Sequence, residues 1–283
     1  MGCGYPEAEQ GYNIARLVTF LAGMPDTVPG VTFNRLCGSS MQAVLSAAAQ
    51  IEAGWGGCFL CVGTESMTRV KRRGFNWSPN PGLEEGWPEA YVTMGQTAEN
   101  VAARWSITRD QQERFALASH QKAATARESG SFDAEIIPLS NGDNTVSEDG
   151  CIRPGTTLEA MAELVPVFSD GGTVTAATSS PLTDGAVAMI VCSEEFASDH
   201  GLEAMARIIS GAVTGCPPEI MGIGPVEATR QVLERTGWDI DSIDIFELNE
   251  AFSSQSLAVI DELGLDPSKV NLEGGAPAIG HPL

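Results

Sequence analysis

One cysteine, Cys37, stands at the mouth of a stretch that carries no charge: residues 38–51 contain no Asp, Glu, Lys or Arg. Small residues, Ser39, Ser40, Ala43, Ser46, Ala47, Ala48 and Ala49, run round every face of the helix this stretch predicts. A helix with no polar face is expected to be buried on all sides. Its N-terminus presents about half a positive charge, and a thiol placed there has its thiolate form favoured. A thiolate is a nucleophile, so the position suits covalent catalysis. The competing reading is a buried thiol of no chemical consequence, because cysteine is among the residue types most often found inside.

The other chemistry-bearing residues are sparse. Of three histidines, His281 lies in the turn Gly280-His281-Pro282, His120 in a polar helix, and His200 beside Asp199 and Gly201; the last two read as ordinary. Cys58-Phe59-Leu60-Cys61 has redox or zinc spacing, but it falls in a predicted strand, where positions three apart point to opposite faces. Neither a disulfide nor a shared metal fits there. Cys3, Cys151, Cys192 and Cys216 show no second ligand pattern, and no metal site is expected. Gly222-Ile223-Gly224-Pro225 lacks the rest of a dinucleotide fingerprint and reads as a helix start. The run Arg69-Val70-Lys71-Arg72-Arg73 is either a local attractor for an anionic ligand or a solvated subunit-contact loop.

The elements that must position these residues alternate in type. Residues 31–33 and 58–62 read as strands around a helix over 39–53, a βαβ pattern. From about 65 to 170 the texture changes to turns and polar helices, around 96–105 and 108–129, the second opened by a Thr108/Gln111 capping box. Strand character returns at 173–176 and 186–192. A second βαβ-like half follows, with a helix at 225–236, a strand at 243–247 and a last helix over 251–263. Two α/β halves separated by an insertion summarise the pattern.

Composition bounds the class. The 283 residues suit two half-sized units. With 37 acidic residues against 16 basic, the net charge of −21 argues against nucleic acid or anionic lipid as partner. No apolar run is long enough to insert in a membrane, and the start lacks a signal-peptide pattern. Seven scattered cysteines read as reduced thiols. The expectation is a soluble cytoplasmic protein.

Five separated segments resemble those of the thiolases, the acetyl-CoA acyltransferases. Asn34-Arg35-Leu36-Cys37-Gly38-Ser39-Ser40-Met41-Gln42-Ala43 is similar to the family's nucleophile segment. Met94-Gly95-Gln96-Thr97-Ala98-Glu99-Asn100 is similar to its substrate-facing loop, and Thr178-Ser179-Ser180-Pro181-Leu182-Thr183-Asp184-Gly185-Ala186 to its pantetheine loop. Asn249-Glu250-Ala251-Phe252 and Gly274-Gly275-Ala276-Pro277-Ala278-Ile279-Gly280-His281-Pro282 match two further active-site motifs. They occur in the family's order across nearly the whole chain.

The resemblance implies a thiolase-like α/β fold, two similar βαβ-type halves in stacked helix and sheet layers with a loop domain. On that pattern residues 1–66 with 183–203 form the N-terminal half, 67–182 the loop domain and 204–283 the C-terminal half. It also implies roles: Cys37 as nucleophile, His281 as base, and Asn249 as holder of a water that helps stabilise an enolate. Glu250 braces the loop, while Met94, Ser180, Ala251 and Phe252 line the thioester and pantetheine end. No cofactor is expected, coenzyme A being a substrate. The implied partners are acyl-CoA and CoA, and the implied assembly a homodimer or homotetramer. Family members open with a further strand and helix and end with a second catalytic cysteine, so the chain reads as a piece lacking both ends and is expected to be inactive alone. Thr93 stands where many short-substrate members carry histidine, which favours a broad-range 3-ketoacyl-CoA thiolase of fatty-acid β-oxidation. The alternatives are an acetoacetyl-CoA thiolase working in the condensing direction and a non-catalytic thiolase-like lipid or acyl-CoA binder.

Overall fold

The computed structural model describes residues 1–282. Its regular elements are, in chain order, α1 (Ile14–Leu21), α2 (Ser39–Glu52), β1 (Cys58–Ser66), α3 (Pro81–Gly86), α4 (Met94–Arg104) and α5 (Arg109–Ser129). They continue with β2 (Leu139–Asn141), β3 (Asn144–Val146), α6 (Leu158–Ala162), β4 (Asp184–Cys192), α7 (Glu194–Asp199), α8 (Gly224–Thr236), α9 (Ser253–Leu263) and α10 (Ala276–Ile279). They group into two compact units.

The first unit holds Met1–Ser78, Leu182–Gly211 and Pro282. Its centre is the antiparallel pair β1–β4, in register from Cys58 opposite Cys192 to Ser66 opposite Asp184. On the other edge of β1 the first residues pair in parallel: Gly2 donates to Val62 O and accepts from Thr64 N–H, and Gly2 also bridges Phe33. Of the expected βαβ unit the helix and the strand β1 are present, but residues 31–33 form no strand: only Phe33 pairs, through an isolated bridge to Gly2, which also bridges Gly63 of β1. Glu65, at the end of β1, is buried and accepts backbone N–H bonds from Gly4 and Tyr5, which ties the first segment down.

Helix α2 packs on β1 through one line of residues, Ser39, Ala43 and Ala47, spaced four apart on one face. Cys61 and Val191 meet this line with Val44, Ile51 and Phe59 around it. Burial on all sides, expected from the missing polar face, is not what the structure shows: Met41 and Ala49 are exposed. Lack of charge permits burial on every face, but only neighbours supply it.

The second unit holds Pro79–Pro181 and Ala212–His281. Helices α4, α5 and α9 form its body. α5 carries the expected capping box, Thr108 Oγ1 accepting from Gln111 N–H while the Gln111 side chain accepts from Thr108 N–H. Two expected strands are absent. Residues 173–176 run into a short 3-10 turn, Ala176–Thr178, because Glu99 takes the backbone N–H groups of Thr173 and Val174 that a ladder would have used. At 243–247 only Phe246 pairs, in parallel with Val270. β-branched residues favour a strand only where a partner edge exists.

Candidate active site

Cys37 belongs to the first unit. It does not begin α2 but sits in a 3-10 turn, Leu36–Gly38, that precedes it. Leu36 has φ of 45°, a left-handed conformation that a branched side chain rarely adopts. Two side chains hold this elbow: Asn34 Oδ1 accepts from Leu36 N–H at 3.0 Å, and Ser39 Oγ donates to Leu36 O at 2.6 Å while accepting from Arg35 N–H. Ser39 is fully buried, so the elbow is anchored from beneath and presents Cys37 outward, where it is exposed.

The charge state of this thiol differs from the expectation. Burial pushes the Cys37 thiol up; its own backbone N–H and the Arg72 guanidinium pull down, and Glu65 adds to the rise. Solvent touches the residue, yet the protein around the sulfur disfavours its charged form more than its own backbone N–H and Arg72 favour it. The free protein therefore holds Cys37 as a thiol, and ionising it calls for a base. Arg72, from the basic run, is the cation that favours the thiolate.

The remaining motif residues lie in the second unit, and there the structure brings them together. The Asn249 amide nitrogen stands 3.1 Å from His281 Nε2. With the amide N–H donating, the neutral ring accepts at Nε2 and carries its proton on Nδ1. Both side chains come from loops that a buried network holds in place. Glu250 is buried; its Oε2 accepts from Ser119 Oγ at 2.6 Å and its Oε1 from Asn271 Nδ2 at 2.8 Å. Ser119 Oγ also accepts from Gly275 N–H at 2.9 Å. Asn271 closes the set by accepting from Leu248 N–H and donating to Leu248 O. The loop carrying Asn249 and the loop leading through α10 to His281 thus meet on one hydroxyl of α5. Gly275 permits this: a Cβ there would stand 2.2 Å from Glu250 Cδ. Burial raises the Glu250 pKa, and Ser119 first and then Asn271 pull it back.

The four residues expected to line substrate also gather. Met94, Ala251 and Phe252 pack in one apolar cluster with Ala98, Phe168 and Val174. Phe168 meets Phe252 edge to face, centroids 5.9 Å apart at 82°. Ser180 donates its backbone N–H to Ala251 O at 3.0 Å, and the adjacent Ser179 pairs with Phe252. Ser254 Oγ donates to Ala98 O at 3.0 Å, joining α9 to α4. Gly95 makes room for the cluster, since a Cβ there would fall 2.0 Å from the Phe168 ring.

Sequence reasoning missed Ser119, Asn271 and Phe168. Ser119 had a readable signal: it shares the buried face of α5 with Gln112, Ala116 and Ala123, and a hydroxyl on such a face needs a partner. Asn271 and Phe168 carried none. His120 accepts from Arg153 N–H and burial lowers its pKa, so it serves as a neutral structural acceptor. Cys58 and Cys61 lie on opposite faces of β1, one exposed and one buried against Ala43 O. Among the described residues no cluster of three or more His, Cys, Asp or Glu side chains could hold a metal ion. No helix among them is long and apolar enough to cross a membrane.

The first unit thus presents a cysteine on a strained elbow, and the second unit by itself holds an asparagine–histidine pair. The thiolase N-terminal domain model matches residues 1–195 and the thiolase C-terminal domain model residues 202–283. The chain is similar to a 3-ketoacyl-CoA thiolase of Bacillus subtilis, 45% identical over 296 residues, covering all of this chain and 76% of that protein. One from Aliivibrio fischeri is 48% identical over 292 residues, covering 100% and 75%. Among solved structures, the dimeric peroxisomal thiolase of Saccharomyces cerevisiae superposes with a TM-score of 0.93 at 38% identity, covering all of this chain and 74% of that one. Human mitochondrial 3-ketoacyl-CoA thiolase in complex with CoA gives 0.89 at 37%, with 100% and 74% covered. The chain belongs to the thiolase family and has its α/β fold. It is an acyltransferase.

Proposed function

We propose that the chain carries the chemistry of a 3-ketoacyl-CoA thiolase, cleaving a 3-ketoacyl-CoA with CoA through an acyl-cysteine intermediate. Cys37 sulfur attacks the C3 carbonyl, the C2–C3 bond breaks, and the electron pair passes to the thioester enolate of acetyl-CoA. A proton then returns to C2 and acetyl-CoA leaves. A second CoA, as thiolate, attacks the acyl-cysteine and carries the shortened acyl group away, restoring Cys37. His281 acts as the base that ionises the thiol, a task the raised Cys37 pKa makes necessary. Asn249 and His281 stabilise the enolate oxygen, the first through a held water. Glu250, Ser119 and Asn271 position them, and Met94, Ser180, Ala251 and Phe252 contact the thioester and pantetheine.

The observation that carries this reading is the Asn249–His281 pair at 3.1 Å, held by the buried Glu250 network. No cofactor is required by this scheme beyond CoA as substrate. The assembly proposed is a homodimer, which the dimeric yeast relative supports, or a homotetramer; Thr93 beside Met94 supports a broad acyl range, and the role proposed is degradative and cytoplasmic. The test is acylation: incubation with acetyl-CoA should add one acetyl group, mapped to Cys37, and Cys37→Ser should abolish it. An adduct elsewhere, or an unchanged adduct in Cys37→Ser, would overturn the assignment. Chain-length profiling of thiolysis, in a version extended to the length of its relatives, separates the broad-range enzyme from one confined to acetoacetyl-CoA.

A further inference from the structure

Cys58 and Cys192 take no part in the chemistry above. They are direct partners across β1–β4, at the first residue of one strand and the last of the other. The next pair outward, Gly57 and Ser193, is hydrogen-bonded, Ser193 N–H donating to Gly57 O at 2.9 Å. The cysteines therefore occupy a non-hydrogen-bonded position, where opposed Cα atoms stand about 4.5 Å apart and the side chains leave the sheet together. That separation lies within the roughly 4.4–6.8 Å that a disulfide spans. Cys58 is exposed and Cys192 half-buried. Both point away from α2, since Cys61 and Val191, on the alternate positions, form the face that packs on it. Burial first, and then the neighbouring Cys192, pushes the Cys58 thiol up. The Cys58-x-x-Cys61 spacing is thus a false pairing, and the true neighbour of Cys58 comes from the far strand.

We propose that Cys58 and Cys192 form a dithiol site that closes to an intramolecular disulfide by exchange with a small-molecule disulfide. The more exposed Cys58, as thiolate, attacks one sulfur of the reagent and expels the first small thiolate, leaving a mixed disulfide. Cys192, as thiolate, attacks the Cys58 sulfur and expels the second. The two protons lost by the cysteines go to the two departing thiolates, so one dithiol and one disulfide become one protein disulfide and two small thiols. Regular strands hold the partners in register, so closure needs no rearrangement of the backbone.

The test treats the full chain with excess hydroxyethyl disulfide, blocks remaining thiols with iodoacetamide and maps the peptides by mass spectrometry. The expected result is a Cys58–Cys192 linkage, reversed by dithiothreitol, with Cys37 carrying only a single cap. In Cys192→Ser, Cys58 should instead accumulate the mixed disulfide several-fold over the wild type. Separate caps on Cys58 and Cys192, a Cys58–Cys61 link, or two free thiols under conditions that cap Cys37 would each overturn the proposal. Should Cys192→Ser fail to fold, the wild-type map decides by itself, and no outcome depends on the catalytic reading.

Discussion

Replacing Ser119 by Ala probes the network that joins the Asn249 and His281 loops. It removes a hydroxyl that donates to Glu250 Oε2 at 2.6 Å and accepts from Gly275 N–H at 2.9 Å, with Ser119, Glu250 and Gly275 all buried. A hydrogen bond to a charged group contributes about 1.5–3 kcal/mol, and leaving a buried N–H unpaired costs about 1–3 kcal/mol. The two losses share one oxygen and one relaxation, so the expected total near neutral pH is about 3 kcal/mol and not the sum of both upper limits. The deficit has a pH signature. Burial raises the Glu250 pKa and Ser119 is first among the groups that lower it, so the variant raises it further. A carboxyl whose folded pKa lies above its unfolded value favours the fold while protonated and loses that contribution as pH rises through the folded value. The Gly275 part of the loss is present at every pH; the carboxylate part appears only as Glu250 ionises. Urea unfolding followed by circular dichroism should show a Ser119→Ala deficit of about 1–2 kcal/mol below the glutamate range, growing to about 3 kcal/mol by about pH 8. In a Glu250→Gln background the pH dependence should vanish. A deficit independent of pH, or one under about 1 kcal/mol at the alkaline end, would refute the network's role.

Because burial holds the Cys37 thiol up and Arg72 holds it down, alkylation by iodoacetamide should keep accelerating above the ordinary thiol range. Arg72→Gln should slow it at each pH below the plateau; a plateau near neutrality would contradict both. In a version extended to the length of its relatives, Asn249→Ala should lower the thiolysis kcat by about 10²–10³-fold, the loss typical of one oxyanion donor, while changing Cys37 acylation by acetyl-CoA far less. Equal losses in the two assays would place Asn249 outside enolate stabilisation. Gly95→Ala sets a Cβ 2.0 Å from the Phe168 ring and should cost about 1–3 kcal/mol in thermal unfolding through overpacking, relieved by Phe168→Ala.

Much of the site was legible because its motifs are local. The Asn249-Glu250-Ala251-Phe252 and Gly274–Pro282 segments each hold side chains within one loop, and the structure sets Asn249 against His281 as hydrogen-bonding neighbours. What could not be read is the partner of the hydroxyl that joins those loops: the buried face of α5 shows that Ser119 needs an acceptor, but Glu250 lies 131 positions away, and a serine in a helix does not announce which acceptor it meets. The Cys37 thiol shows the same limit. A cysteine before an uncharged helix suggested a depressed pKa, but burial of the sulfur raises it instead.

Residue order alone determined the helices α2, α4, α5 and α8, the capping box of α5, the long strands β1 and β4 and the family motifs, since periodicity, capping and turn chemistry act over a few residues. Only the tertiary structure decided that residues 173–176 and 243–247 are not strands of a ladder, that Glu250 rests on Ser119, and that Cys58 faces Cys192. Those outcomes depend on which distant donor or edge arrives first at a given backbone or side-chain group, and sequence distance carries no information about that arrival.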